Sequence, residues 1–145
     1  KRIYDEIFRE REGEGIAPIR RDLQSTMQEK VGIFRNEKDL TDAIRIIKQL
    51  KERFKNVYVE DKDMRYNSNL FSYLELSNML ENAEVVAVGA LARKESRGSH
   101  YRVDYPKRDD VNWMKHTIAV IRNGEIELSY IPVSVTKWQP EERKY

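Results

Sequence analysis

Ser68-Asn69-Leu70-Phe71-Ser72-Tyr73-Leu74-Glu75-Leu76-Ser77-Asn78-Met79-Leu80, continuing Glu81-Asn82-Ala83-Glu84-Val85-Val86-Ala87-Val88-Gly89-Ala90-Leu91-Ala92-Arg93-Lys94, is the stretch on which the fold turns. Leu70, Tyr73, Leu74, Ser77, Leu80, Ala83, Ala87 and Leu91 recur at steps of three and four. That is the spacing of one helix face, so a helix over 68–94 is predicted with these residues turned inward. Its second half differs from its first. From Val85 to Ala92 almost every residue is apolar, and a helix apolar all round is one that is covered on all sides. Two neighbouring helices do not enclose a circumference. The chain's own tail, or a domain outside it, is expected to complete the cover.

Upstream the same period appears twice more. Ile16, Ile19, Leu23, Met27 and Val31 mark a first long helix, starting near Pro18 and ending at Gly32. Asn36 is placed to cap a second helix whose first turn carries Glu37 and Asp39, charges that suit the positive end of a helix. Leu40, Ala43, Ile44, Ile47, Leu50 and Phe54 form its apolar face. Residues 55–66 are polar and irregular, with Val57-Tyr58-Val59 as a short extended piece.

Downstream, Gly98 is read as the helix stop, and residues 99–116 as an extended, charge-rich arm. Thr117 to Ile121 and Ile126 to Tyr130 then flank Asn123-Gly124, a dipeptide that tolerates the positive φ of a two-residue hairpin turn. The fold class expected is mainly α: a three-helix, spectrin-repeat-like bundle followed by an extended arm and a C-terminal β-hairpin tail. The divisions are a connecting helix at 1–15, the bundle at 16–98, and the arm, hairpin and tail at 99–145.

Composition narrows the function classes. The chain has 145 residues, no cysteine and 27 basic against 25 acidic residues. Disulfides, thiolate zinc sites and Cys-ligated iron–sulfur clusters are therefore excluded within it. The near balance of charge argues against a dedicated nucleic-acid binder, which needs a net basic face. No apolar run approaches the roughly 20 residues of a membrane span. No initiator Met or secretory signal opens the chain, and a piece of a larger protein is expected.

Chemistry is harder to find. The six glycines are scattered and form no phosphate-cradling loop. His100 and His116 are the two histidines, too few for a metal site without carboxylate help. Ser96, His100 and Asp104 compose a hydrolase triple on paper, but no nucleophile elbow supports it. Asp109-Asp110 beside Lys107 and Arg108 reads as a salt-bridged loop. The basic and aromatic residues Arg93, Lys94, Arg97, His100, Tyr101, Arg102 and Tyr105 are interleaved with Glu95, Asp104, Asp109 and Asp110. That mixture suits a protein contact better than a nucleic acid, because Arg and Tyr are favoured interface anchors. Arg93, Arg97, His100, Arg102, Asp104, Tyr105 and Trp113 are accordingly the candidates for contact with another domain or subunit. Exposed Arg–carboxylate pairs contribute only about 0–1 kcal/mol each. Loss of Arg97 is therefore expected to weaken such a contact while scarcely moving the stability of the chain itself.

This segment also carries a resemblance. Ala92-Arg93-Lys94-Glu95-Ser96-Arg97-Gly98-Ser99-His100-Tyr101-Arg102, then Asp104-Tyr105-Pro106, Arg108-Asp109-Asp110, Asn112-Trp113 and Lys115-His116-Thr117, resembles the C-terminal signature of succinate dehydrogenase and fumarate reductase flavoprotein subunits. Leu23-Gln24-Ser25-Thr26-Met27-Gln28 is similar to the start of that family's C-terminal helical bundle, and the stretch from Pro140 to Tyr145 to its ending. L-aspartate oxidases share the Arg-Lys-Glu-Ser-Arg-Gly run but usually lack the Lys-His-Thr segment, hairpin and tail.

The resemblance implies a structural, docking domain of an oxidoreductase whose parent interconverts succinate and fumarate. FAD would belong to the parent, and no catalytic, cofactor-binding or metal residue falls in this sequence. The implied partners are the FAD-binding domain of the same parent chain and an iron–sulfur subunit, with no nucleic acid and no membrane insertion. The implied location is cytoplasmic, with the parent complex peripheral to the inner face of the cell membrane. A free-standing helical adaptor for a protein or nucleic acid is the alternative from another class, and an L-aspartate oxidase domain a lesser one.

Overall fold

The computed structural model describes residues 7–10, 12–63, 65–138 and 141. The expected connecting helix at 1–15 and the ending from Pro140 lie partly outside them. In chain order the elements are α1 (Ile16–Lys30), β1 (Phe34–Arg35), α2 (Glu37–Phe54), α3 (Ser68–Ala92), β2 (Tyr101–Arg102), the single-turn α4 (Asp110–Trp113), β3 (Lys115–Arg122) and β4 (Glu125–Pro132). The three long helices pack on one another, as the periodicity predicts.

Ile19, Leu23, Leu40, Ala43, Ile47, Leu50, Leu76, Leu80 and Ala87 are almost wholly shielded from water and form the centre of the core. Burying each large aliphatic side chain contributes about 1.5–3 kcal/mol, which is the main force holding the bundle. Val57 and Val59, in the irregular connection before α3, are also fully buried, although no strand forms there.

Side-chain caps set the starts of α2 and α3. Asn36 Oδ1 accepts from the Asp39 amide at 2.9 Å, as expected. Asn67 does the same for Leu70 at 2.7 Å, while its amide group donates to the carbonyls of Asp61 and Asp63. α1 starts at Ile16, ahead of Pro18, and stops at Lys30. Gly32 follows at a close approach: a Cβ there would lie 2.6 Å from the Gln28 carbonyl oxygen.

The inner face of α3 holds the expected Leu80, Ala83 and Ala87, with Tyr73 and Leu91 packed at its edge, but Leu76 joins it and Leu74 leaves it. Its buried stripe runs Leu76, Leu80, Ala83, Ala87 and Ala90, and includes the carboxylate Glu84. Leu74 is 41% and Phe71 69% exposed. The first half of the helix carries apolar residues on both sides, so periodicity alone does not choose between Leu74 and Leu76. Glu84 is tolerated inside because Lys51 donates to it at 2.6 Å. The all-apolar half is covered in part by the hairpin, which packs against α3, yet Val86 stays 47% exposed.

α3 also ends early, at Ala92 rather than Lys94, and Gly98 is not its stop. Gly98, at φ 58, sits in a tight turn in which Arg97 and His100 exchange backbone hydrogen bonds of 2.8 and 3.0 Å. The arm is folded rather than uniformly extended. β2 pairs in parallel with β1, Phe34 opposite Tyr101 and Arg35 opposite Arg102, and α4 follows. The hairpin forms as predicted: β3 and β4 are antiparallel, closed by Arg122 opposite Glu125, with Asn123 and Gly124 at φ 53 and 83. Positive φ at both positions is the signature of a type I′ turn.

Candidate functional site

A helix C-terminus leaves its last carbonyls without intrahelical donors and carries partial negative charge. α3 has no basic residue in its own last turn. The arm supplies one. Arg102 is fully buried, and its Nη1 donates to the carbonyls of Ala90 and Leu91 at 3.0 Å each. Its Nε and Nη2 form a fork on Asp104, both at 2.7 Å, and its guanidinium stacks 5.1 Å from the Tyr105 ring. Asp104 in turn accepts from the Glu37 amide at 2.9 Å, at the start of α2. Held first by Arg102, its carboxyl lies well below the usual range, at about 2. One guanidinium–carboxylate pair therefore ties the end of α3 to the start of α2.

Glu95 is the second centre. It is fully buried and accepts from Arg93 at 2.6 Å, from Arg97 at 2.9 and 3.1 Å, and from the Asp109 amide at 2.9 Å. Burial alone would raise its carboxyl, but these bonds, that of Arg97 foremost, hold it below the ordinary value. Arg93 carries the cluster outward. It donates to the carbonyls of Trp113 and Lys115 at 3.1 and 2.6 Å and to Thr117 Oγ1 at 3.2 Å, and so pins β3 to the end of α3. Lys115 lies over both the Trp113 and Tyr130 rings, at 4.6 and 4.3 Å.

His100 joins the cluster to β1: Arg35 Nη1 lies 2.9 Å from Nδ1, and the Arg93 carbonyl 3.2 Å from Nε2. The paper triple is not assembled. Ser96 Oγ donates to the Tyr105 carbonyl and accepts from the Arg102 amide, Asp104 is held by Arg102, and His100 faces Arg35. Asp110 does form the expected salt bridges, at 2.6 Å to Arg97 and 2.9 Å to Arg108, while Asp109 caps α4. His116 stands apart, exposed on β3 opposite Ile131. Among the described residues no group of three His, Asp or Glu side chains is placed to hold a metal ion.

The structure thus brings all seven contact candidates into one neighbourhood, though not as groups awaiting a partner. Arg93, Arg97, Arg102 and Asp104 are paired within the chain. Two central residues escape the sequence reading as candidates. Glu95 was legible in the alternation Arg93-x-Glu95-x-Arg97, whereas nothing local marks Arg35, whose partner lies 65 residues away.

Residues 20–145 match the family described as fumarate reductase flavoprotein C-term. The chain belongs to this family. Its relatives include a fumarate reductase flavoprotein subunit of Mycobacterium tuberculosis, 41% identical over 92% of this chain and 23% of that protein. A succinate dehydrogenase flavoprotein subunit of Rickettsia bellii is 38% identical over 95% of this chain and 23% of its own length. Among solved structures, the quinol fumarate reductase of E. coli superposes with a TM-score of 0.93 at 36% identity, covering 97% of this chain and 25% of that one. The chain therefore spans about a quarter of the length of the relatives it matches. In fold and sequence it is the C-terminal domain of succinate dehydrogenase and fumarate reductase flavoprotein subunits.

Proposed function

We propose that this chain is the C-terminal docking domain of a flavoprotein subunit that interconverts succinate and fumarate, and that it contributes no reacting group of its own. FAD is held by a domain of the same parent chain, which passes electrons to a separate iron–sulfur subunit. The parent complex lies against the inner face of the cell membrane; among the described residues no helix is long and apolar enough to cross one. The observation that carries this reading is the coverage: nearly all of this chain aligns with about a quarter of oxidoreductase subunits named for both reactions. A bundle whose helix ends are fastened by the arm and hairpin that follow it suits a domain that braces a catalytic one.

The contact surface follows from what is already engaged. The Arg102 side chain is fully buried and serves the fold from inside. Arg97, Tyr105 and Trp113 keep part of their surface, α4 exposes Val111, and the hairpin exposes Ile118, Val120 and Ile131 on its outer face. Exposed apolar groups of this kind mark interaction surfaces.

The test is a pair of proteins, the isolated 145-residue chain and the full-length parent. The chain is expected to be colourless and inert toward succinate, and the parent to carry flavin and reduce a dye with succinate. A yellow isolated chain with flavin absorbance overturns the assignment of FAD to another domain. A parent inert toward both succinate and fumarate overturns the reaction.

A further inference from the structure

We propose that His100 is a proton-sensitive latch, which when neutral ties the α1–α2 turn to the segment after α3 and when protonated releases it. The proposal stands independently of the docking reading.

The ring's partners define its state. A guanidinium only donates, so Nδ1, 2.9 Å from Arg35 Nη1, must present a lone pair. A carbonyl only accepts, so Nε2, 3.2 Å from the Arg93 oxygen, must carry the hydrogen. Both conditions describe one species, the neutral Nε2–H imidazole. A proton on Nδ1 would point an N–H at a guanidinium N–H across hydrogen-bond distance, turning an attraction into a repulsion between like charges.

The surroundings offer little to stabilise the cation. Arg35 faces the ring from β1, Arg93 from the end of α3, and Arg102 from β2. The nearby carboxylates are committed elsewhere, Glu95 to Arg93 and Arg97, and Asp104 to Arg102 and the Glu37 amide. Burial first, then the three guanidiniums, hold the ring below its ordinary value of 6.5, against the opposing pull of the Arg93 carbonyl. The sign follows: closure is complete above the ordinary histidine value and is lost as pH falls through and below it.

The latch has something to hold. Arg35 Nε donates to the carbonyls of Val31 and Gly32 at 3.0 and 2.9 Å, just past α1. The Arg35 carbonyl accepts from the Val103 amide at 2.9 Å, beside the Phe34–Tyr101 edge-to-face pair. The Val103 bond belongs to a two-residue parallel pairing, which is too short to hold by itself. One imidazole thus fastens three segments and an exposed aromatic pair.

Ring nitrogen NMR on the 145-residue chain tests this, with the signal assigned by comparison with a His116→Gln variant. His100 is expected as the Nε2–H tautomer at neutral pH, with its midpoint below 6.5. Exchange of the Val103 amide, corrected for intrinsic rate, is expected to accelerate several-fold between about pH 7.5 and about pH 5, either side of the histidine range. Exchange at Ile47 in the core should not change. His100→Gln presents an acceptor and a donor without titrating, and should keep Val103 protected throughout. A midpoint at or above 6.5, an Nδ1–H tautomer, or the same pH response in His100→Gln overturns the proposal. If His100→Gln does not fold, the wild-type titration decides alone.

Discussion

Arg102 shows how far a residue's role can lie from its appearance in the sequence. In a charged arm it reads as a surface group, yet it is fully buried and closes the carbonyl end of α3. Removing one partner of a buried ion pair is costly, and here two carbonyls also lose their donor. Arg102→Ala is expected to destabilise the chain by at least about 3 kcal/mol in urea titrations. Arg97→Ala should cost about 1.5–3 kcal/mol, the value of hydrogen bonds to a charged group, because buried Glu95 loses one of its two guanidiniums. That reverses the expectation drawn from exposed pairs, and an unchanged melting point for Arg97→Ala would restore it. Asp104 adds a pH signature. Its carboxyl is depressed to about 2 from 3.8, so its contribution is whole above 3.8 and disappears as pH falls toward 2. Stability measured across that window should fall more steeply in the wild type than in Asp104→Asn.

At the scale of elements, α3 is the informative case. Three-and-four spacing established that it is a helix, but its inner stripe includes Leu76 and leaves Leu74 at 41% exposed. Leu76→Ala and Leu80→Ala should each cost about 2–5 kcal/mol, the range for truncating a buried leucine. Leu74→Ala should cost well under half of that, and equal losses at Leu74 and Leu76 in thermal melts would mean the phase is misassigned. The same limit explains Gly98. A glycine after an apolar run reads as a helix stop, whereas the stop is made six residues earlier, where Arg102 takes the carbonyls of Ala90 and Leu91 and His100 that of Arg93. By contrast, the ends at Asn36 and Asn123-Gly124 were legible, because caps and tight turns are satisfied by groups within three residues of each other.

At the scale of the whole molecule, the hairpin divides its two faces. Ala119, Ile126 and Leu128 are half-buried on the side of α3, while Ile118, Val120 and Ile131 face outward. Val120→Lys, opposite Glu127, should leave the melting point of the isolated chain within about 0.5 kcal/mol of wild type, as surface changes usually do. In the full-length parent the same change is expected to weaken the hold between this domain and the rest, read as greater protease sensitivity and lower succinate-dependent activity. A parent indistinguishable from wild type by both measures would remove the hairpin's outer face from the contact.

The sequence by itself determined the three helices, their order, the cap at Asn36, the hairpin turn and the family signature. All of these are written in spacings of a few residues or in a contiguous run. Tertiary structure alone decided that Leu76 rather than Leu74 completes the inner face of α3, that Glu84 and Glu95 are buried acids, and that Arg102 caps a helix. It also brought Arg35 to His100. Each of these joins groups far apart in the chain, and a local pattern states a charge or an apolar side chain without stating what it will meet. The arm reads as open for the same reason: its partners are carbonyls at the end of α3 and an amide at the start of α2, and no periodicity in the sequence records a carbonyl left without a donor.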